Sequence, residues 1–572
     1  MSPVKNRNAV RELRTRLFDL IGTLASRLRV FTFHGLALAL LGRTAGEIRR
    51  SRQNAEESWN ALLKEVCELI SNGDELDDGD SQARRIQLLG NVEYIFVDEY
   101  QDVAEDEYRM IQLLAGLGES EDKSRSVQID LCVIGDDDQN IYSFRGTNPQ
   151  YIIQFTKEYK ATQFLLVENY RSTKSIIETA NCLIQHNQVR CKKHPDDQVR
   201  INQERIGLTG QPVLAYKFSS LSQQAAWVKN KIQSWIDAGI KHNEIAILAR
   251  EWDYISPIRL LLERENIPSY ALRNTSISLV NNYSTHLLMS ALKENITLVT
   301  DPEESILERF KIFFKERAGR NLLEPTVKTL LKIADDLDKE RGYGSEDLVL
   351  PMSIDEILTA IFESNKTGET FLENDSVLVT SCHGAKGLEF RKVILLSDGF
   401  KTNSQDIESE RRLFYVAMTR AKEELILCST QQNLFIQQAG LTSQITNYTP
   451  SKIPPLMHYF DLTPADVNLG HPSTRNRQGI IRRLLEGTSI ILRTNYQGNG
   501  WSIFTQNNDE IGALSRGGTQ SLRDKGIHPG QFEFQFGEVT VRYIYNHIKI
   551  DEVTGNILEN TLVVIPQIRV CR

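Results

Sequence analysis

Apolar residues recur at helical spacing from the start of the chain, at Val10, Leu13, Leu17, Leu20, Ile21, Leu24 and Leu28, interleaved with arginines, which predicts an opening helix. Residues 45–90 are polar, helix-biased and end in the acidic run Asp74 to Asp80, the pattern of a small helical insertion with a solvated loop. Beyond them the texture changes. Short apolar runs at Tyr94 to Val97, Leu131 to Ile134, Phe164 to Val167, Val213 to Tyr216, Ile245 to Leu248, Val377 to Val379, Val393 to Leu396 and Leu425 to Leu427 alternate with helical segments. That alternation predicts parallel sheets with helical crossovers. Leu248 and Val377 are too far apart for one crossover, so residues 276–372 read as a helical subdomain inserted into the second sheet. After Thr449, four prolines (Pro450, Pro454, Pro455, Pro464) mark a linker. Strands of a small antiparallel barrel or sandwich are then expected at Ser489 to Asn495, Trp501 to Thr505, Phe532 to Phe536, Val539 to Tyr545 and Leu562 to Val570.

Composition narrows this picture. With 572 residues, 40% hydrophobic and 25% charged, the chain can bury several cores and falls outside the disordered class. No apolar run approaches the roughly 18 residues of a bilayer span. The N-terminus mixes Arg7, Arg11, Arg14 and Arg16 with Glu12 and Asp19 and has no apolar core, unlike a secretory or transit signal. The seven cysteines are scattered, with no C-x-x-C pair, which suits reduced thiols of a cytoplasmic protein. A net charge of -8 means that any nucleic-acid contact must come from local basic and aromatic grooves.

Five blocks carry candidate chemistry. Tyr94 to Asp102 reads as a buried strand ending in Asp98 and Glu99, the carboxylate pair a nucleotide hydrolase needs to hold Mg2+ and polarise water. Alone, such a pair is common at helix starts. Gly135 to Gly146 places three acids, Asp136, Asp137 and Asp138, before Gln139, whose neutral amide could sense a phosphate. Tyr142, Phe144 and Arg145 follow, with rings and a guanidinium suited to base stacking. Arg171 comes directly after the run Leu165 to Val167, and the blocks 380–390 and 410–422 carry His383, Glu389 and Arg420.

In order and spacing these blocks resemble motifs II to VI of the superfamily 1A helicases, the UvrD/Rep/PcrA family: VDEYQD, GDDDQNIYSFRG, ENYRS, SCHGAKGLEF and RRLFYVAMTRAK. Phe31-Thr32-Phe33-His34-Gly35 is similar to motif Ib, and the resemblance covers residues 6–436. It implies an α/β fold of two RecA-like domains of the P-loop NTPase type, each with a helical insertion, followed by a C-terminal β-rich domain. The implied boundaries are 1–163 for the first domain with its insertion at 38–90, and 164–275 with 373–436 for the second. The second insertion would span 276–372, a linker 437–460 and the β-rich domain 461–572. It further implies ATP and Mg2+, with Asp98 on the metal, Glu99 activating water, Gln139 reporting the terminal phosphate and Glu389 at the sugar. Arg171 and Arg420 would be arginine fingers. Thr32, His34, Tyr142, Phe144, Arg145, His383 and Phe435 would line a single-stranded DNA channel.

One component of that family is missing. A phosphate cradle needs G-x-x-x-x-G-K-[ST], and no Gly-Lys dipeptide occurs in the chain. Asn6 to Leu13 resembles the end of motif Ia, which in the family follows the P-loop strand. The expectation is therefore a first domain lacking its central strand, inactive alone, with a P-loop supplied by an upstream segment or chain. The wording of the motifs is also similar to the UvrD-like C-terminal half of certain long RecQ-family helicases. Two functions compete: a 3' to 5' DNA helicase or translocase of replication, repair or recombination, and a non-hydrolysing module that binds single-stranded DNA or a repair partner. A gene fragment is the third reading. In residues 451–572, 13 Lys and Arg stand against 11 Asp and Glu, and Arg475, Arg477, Arg482 and Arg483 could meet phosphates or form a solvated helix face.

Overall fold

The computed structural model describes residues 2–4, most of 10–41, 55–72, 89–90, 92–116, 129–143, 146–202, 210–272, 279–294, 304–341, part of 354–361, 375–403, 406–445, 457–524, 526–529, 536–550 and 557–571. Two short parallel pairs open the chain. Strand β1 (Ser2–Val4) pairs with β2 (Val30–Thr32), which runs into α1 (Phe33–Leu41). After α2 (Ala55–Asn72), β3 (Tyr94–Val97), α3 (Glu105–Ala115) and β4 (Asp130–Val133) form a crossover unit in which β3 and β4 pair in parallel. Ile95 and Val97 point into the core, whereas Tyr94, Phe96 and Ile134 are about half exposed at 53%, 46% and 52%. One face of this pair is thus uncovered. The opening helical stripe is also only partly used: Val10 packs on Val30, but Leu20 and Leu24 face solvent.

The second sheet is complete on both faces. Its strands are β5 to β11 in chain order: Leu214–Lys217 (β5), Ile245–Ala249 (β6), Ser269–Leu272 (β7), Val377–Ser381 (β8), Phe390–Leu396 (β9), Ala421–Ser429 (β10) and Gln444–Ile445 (β11). All pair in parallel, in the order β11-β5-β10-β9-β6-β8-β7. Alternate residues serve opposite cores: Ala246, Leu248, Val393 and Leu395 face one side, and Ile245, Ile247, Ile394 and Leu396 the other. Such two-sided burial explains why these strands read as unbroken apolar runs. Helices Lys174–Ile184 and Ile407–Met418 supply the first core, Leu221–Asp237 and Trp252–Arg264 the second. Two expectations need correction here. Phe164 to Val167 forms no strand, with Phe164 84% and Leu166 89% exposed; the ladder is confined to Glu168–Asn169 against Arg200–Ile201. And β11 lies inside the stretch read as a linker, because its backbone finds a partner at the sheet edge.

The insertion between β7 and β8 is helical, as its amphipathic pattern predicts, with helices Tyr283–Glu294, Ile306–Ile312 and Pro325–Glu340. Its apolar residues Leu288, Phe310, Leu330 and Leu337 belong to the same continuous core as Leu62, Val66 and Ile70 of α2. The C-terminal part holds two antiparallel three-stranded sheets around one core. One is Met457–Asp461, Ile557–Cys571 and Phe536–Ile550, the other Ile491–Thr494, Trp501–Phe504 and Glu510–Ala513. Of the expected strands, residues 532–535 lie outside those described.

A buried polar junction joins insertion and β domain. The Glu486 carboxylate accepts from the Thr326 N–H (2.9 Å), the Thr326 hydroxyl (2.6 Å) and the Asn282 amide (3.0 Å), while the Glu486 N–H donates to Glu324 (3.0 Å). Arg320 donates to both Glu324 and the Leu484 carbonyl. Burial pushes Glu486 above its ordinary carboxyl range, and its hydrogen bonds only partly offset that. Because the folded state then holds the proton more tightly than the unfolded one, stability is greatest below the unfolded pKa and declines as pH rises through the raised value. Urea unfolding midpoints should accordingly fall as pH rises from about 4.5 through that window, and Glu486→Ala should flatten the slope.

Candidate active site

Strand β3 delivers its two acids through a sharp turn. Glu99 adopts φ 52°, a left-handed conformation unusual for a residue with a Cβ, and Asp98 Oδ1 stabilises the turn by accepting the Glu99 N–H at 2.9 Å. Backbone strain at a strand end, kept by surrounding bonds, is typical of functional turns. Those bonds come from Gln101, which is wholly buried: its amide N–H donates to Glu99, and its Oε1 accepts the Asp136 N–H at 2.9 Å. The loops after β3 and β4 are thereby tied together. A Cβ on Gly135 would lie 2.5 Å from that same Gln101 oxygen, so the close approach requires glycine.

The three consecutive acids form a clamp. Asp138, buried, takes a two-pronged bond from Arg190 (3.0 and 2.7 Å) and a third contact from Lys192 at 3.1 Å. Asp136 pairs with Lys192 and accepts the Gln139 amide at 2.9 Å, and Asp137 accepts the Cys191 N–H at 2.6 Å. Burial raises the Asp136 pKa but Lys192 and the hydrogen bonds outweigh it, leaving the group below its ordinary value. Segment 190–192 follows the helix Lys174–Ile184 of the second sheet, so this clamp crosses between the two halves. Lys386 spans the same gap, bonding Asp102 and, at 2.9 Å, the Gln139 carbonyl.

Gln139 is where the halves meet. Its side-chain oxygen accepts from Arg420 at 3.4 Å. Arg420 is 2% exposed, and its other bonds go to the carbonyls of Val416 (2.9 Å) and Leu388 (3.2 Å) and to the Thr419 hydroxyl (3.2 Å). Among the described residues no carboxylate lies within 4.0 Å of its guanidinium. Burial, followed by the charge of Arg171, pulls its pKa down to about 10, with Glu99 and Glu389 acting in the opposite sense. Arg171 donates to Glu389 at 2.6 Å, and Lys422 completes that pair. Burial pushes Glu389 up, yet Lys422 and Arg171 hold it below its ordinary value. Glu99, Gln139, Arg171, Glu389 and Arg420, far apart in sequence, are therefore brought near one another where the two halves meet.

The expected channel residues divide. Tyr142 and His383, from opposite halves, face each other with ring centroids 6.2 Å apart, and the Lys386 ammonium lies 5.1 Å from the Tyr142 ring. Thr32 and His34 are half-buried at the β2–α1 junction, where the Thr32 hydroxyl accepts the Gly35 N–H at 2.9 Å. Phe144 and Arg145 lie outside the described residues. Phe435 is a correction: it is 0% exposed, edge-on to Phe414 and Phe400, with Arg411 over its ring. Its ring is core and presents no face to a base. Sequence reasoning missed Gln101, Asp102, Arg190, Lys192 and Lys386, although the unusual run of three acids was a signal that counter-ions were needed.

Residues 49–160 match the profile described as UvrD/REP helicase N-terminal domain, and residues 164–277 and 274–432 that of the UvrD-like helicase C-terminal domain. The chain belongs to the UvrD/Rep/PcrA family of superfamily 1 helicases. It is 27% identical over 419 residues to the putative ATP-dependent DNA helicase YjcD of Bacillus subtilis, covering 60% of this chain and 52% of that protein. It is 27% identical over 415 residues to DNA helicase II of Haemophilus influenzae, covering 59% and 55%. With the ATP-dependent DNA helicase PcrA of Staphylococcus epidermidis it shares 25% over 451 residues, covering 63% and 58%. The chain thus spans between half and two thirds of the length of these relatives.

Removing Arg190 leaves a buried carboxylate short of its main counter-ion. Arg190→Met should therefore destabilise the protein by about 3–5 kcal/mol in urea unfolding, more than an exposed pair would cost.

Proposed function

We propose that this chain is the motor portion of an ATP-dependent DNA helicase or translocase that moves 3' to 5' along single-stranded DNA. The observation that carries this reading is Arg420: a buried cation whose bonds, among the described residues, go to neutral oxygens, and which reaches Gln139 of the other half. A desolvated guanidinium without a carboxylate is costly unless an anion completes it, and a nucleotide phosphate has the matching charge and geometry. The donor set fits Mg2+ and ATP in part. Asp98 would hold the metal, Glu99 would orient and deprotonate the attacking water, and Arg171 and Arg420 would stabilise the charge on the transferring phosphoryl group. Glu389, already poised between two cations, would meet the sugar as Arg171 turns to the phosphates. Gln139 would pass the state of the site to Tyr142, three residues along, and so to His383 and the strand.

The residues do not supply a phosphate cradle, since the chain contains no Gly-Lys dipeptide. The uncovered face of β3 and β4, with Tyr94, Phe96 and Ile134, and the solvent-facing Phe164 and Leu166 support a further βα segment packing there, as parallel sheets are otherwise covered on both faces. That segment would carry the P-loop. Without it the chain reads as a single-strand binding module.

DNA-stimulated phosphate release should stay near background for these 572 residues alone and appear when a P-loop segment is joined in cis. In the joined form Glu99→Gln and Arg420→Ala should each lower kcat by about a thousandfold or more, while single-strand binding persists. Turnover by the 572-residue chain alone, abolished by Glu99→Gln, would show that the cradle lies within these residues.

A further inference from the structure

The β-rich domain contains a cavity of about 530 Å³ that none of the motor motifs reaches. Its volume lies in the range of small-ligand sites. Its wall is made by three segments: the short helical turn ending at Ile481, the loop that follows it, and the tip of the hairpin between Trp501–Phe504 and Glu510–Ala513. Arg477 and Arg483 reach it from the first two, Asp509 from the third, and the remaining polar lining is neutral, including Asn476, Thr488 and Ser489. Ile480 and Leu484 contribute an apolar patch.

Two features point to an anionic ligand. Arg483 is exposed, and among the described residues its guanidinium meets no carboxylate within 4.0 Å; the same holds for its neighbour Arg482. Among the described residues Arg477 has one ion-pair contact, a long one of 3.7 Å to Asp509, with the two side chains 50% and 31% exposed, a pair that a phosphate oxygen could replace. By contrast Arg475, on the same segment, is fully engaged by Glu559 at 2.8 and 3.2 Å, which fixes the segment and leaves the other arginines available. The hairpin tip is anchored in turn by Arg493, which bonds Asn508 and lies 5.2 Å from the centroid of the Phe504 ring.

We infer that this cavity takes one nucleotide unit of a nucleic-acid strand, with Arg477 and Arg483 on the phosphate, hydroxyls and amides on the sugar, and Ile480 and Leu484 beneath the base. Arginine pairs match phosphate oxygens, and neutral donors are the usual partners of sugar and backbone. A concave site of this size suits a single strand, whose nucleotides can turn inward, rather than the convex backbone of a duplex. The inference rests on the reading of the motor as a DNA enzyme but places a second contact outside the channel of Tyr142 and His383.

The test is fluorescence anisotropy of labelled oligo(dT) with the full chain across a salt series. The double variant Arg477→Ala/Arg483→Ala should weaken binding about tenfold and reduce the slope of log K against log salt by about 0.7, the loss of one single-strand phosphate contact. Asp509→Asn should strengthen binding. Photo-crosslinking with iodouracil-substituted oligonucleotide should label segment 476–489 or 505–509. An unchanged affinity and slope in the double variant, with unchanged unfolding midpoint, would overturn the inference. So would tighter competition by free thymidine monophosphate than by the oligonucleotide, which would make this a free-nucleotide site, or a preference for duplex. Tyr142→Ala separates the two sites: loss of binding there with none in the double variant removes the cavity and leaves the motor reading standing, and the reverse pattern removes the motor channel.

Discussion

A positive charge held out of water, with no carboxylate partner among the described residues, organises the centre of this protein. Arg420 gives up hydration for two carbonyls, a hydroxyl and the Gln139 amide oxygen. Neutral oxygens satisfy its hydrogen-bonding directions but not its charge, and burial together with the nearby charge of Arg171 pulls its pKa down to about 10. The site is thus incomplete in a defined sense: its electrostatics ask for an anion at one place, between the acids that end β3 and the arginines of the second sheet. The carbonyl ligands also fix the side chain in position beforehand, so an incoming phosphate need not pay for ordering it.

Around that charge the two halves are fastened by ion pairs, alongside the apolar contact of Ile141 with the core of the second sheet. Arg190 and Lys192 grip the acid run of 136–138, and Lys386 bridges Asp102 and Gln139. Directional bonds of this kind can exchange partners as a set, whereas an interdigitated apolar seam resists sliding. Arg190 and Lys192 hold acids within three residues of Gln139, and Lys386 bonds the Gln139 carbonyl as well as Asp102, so a shift of Gln139 reaches each of these contacts.

How far the sequence revealed this depends on the kind of residue. Asp98, Glu99, Arg171 and Arg420 could be marked because each follows an element boundary inside a recurring block. The second sheet was legible because β6, β8 and β9 are buried on both faces and so read as solid apolar runs. Phe435 was misread for the complementary reason: an aromatic after an Asn cap has the same pattern whether its ring stacks on a base or, as here, meets Phe414 edge-on in the core. Phe164 to Val167 has the composition of a strand, but composition cannot say whether a neighbouring strand is present to pair with it. Lys386 stayed invisible because its partner Asp102 is 284 positions away, and no local rule links them.

The polar junction at Glu486 has a consequence in time. Asn282 and Thr326 complete their hydrogen bonds with a residue 204 and 160 positions downstream. At synthesis rates of about 5–20 residues per second, the helical insertion is exposed for roughly 8 to 32 s before its partner segment has even been made. During that interval its buried donors must remain hydrated or find substitutes, so the insertion should acquire its final packing late, after the second sheet has closed around β8 to β10. A nascent chain stalled before residue 486 would therefore offer chaperones an assembled sheet carrying an unfinished helical arm.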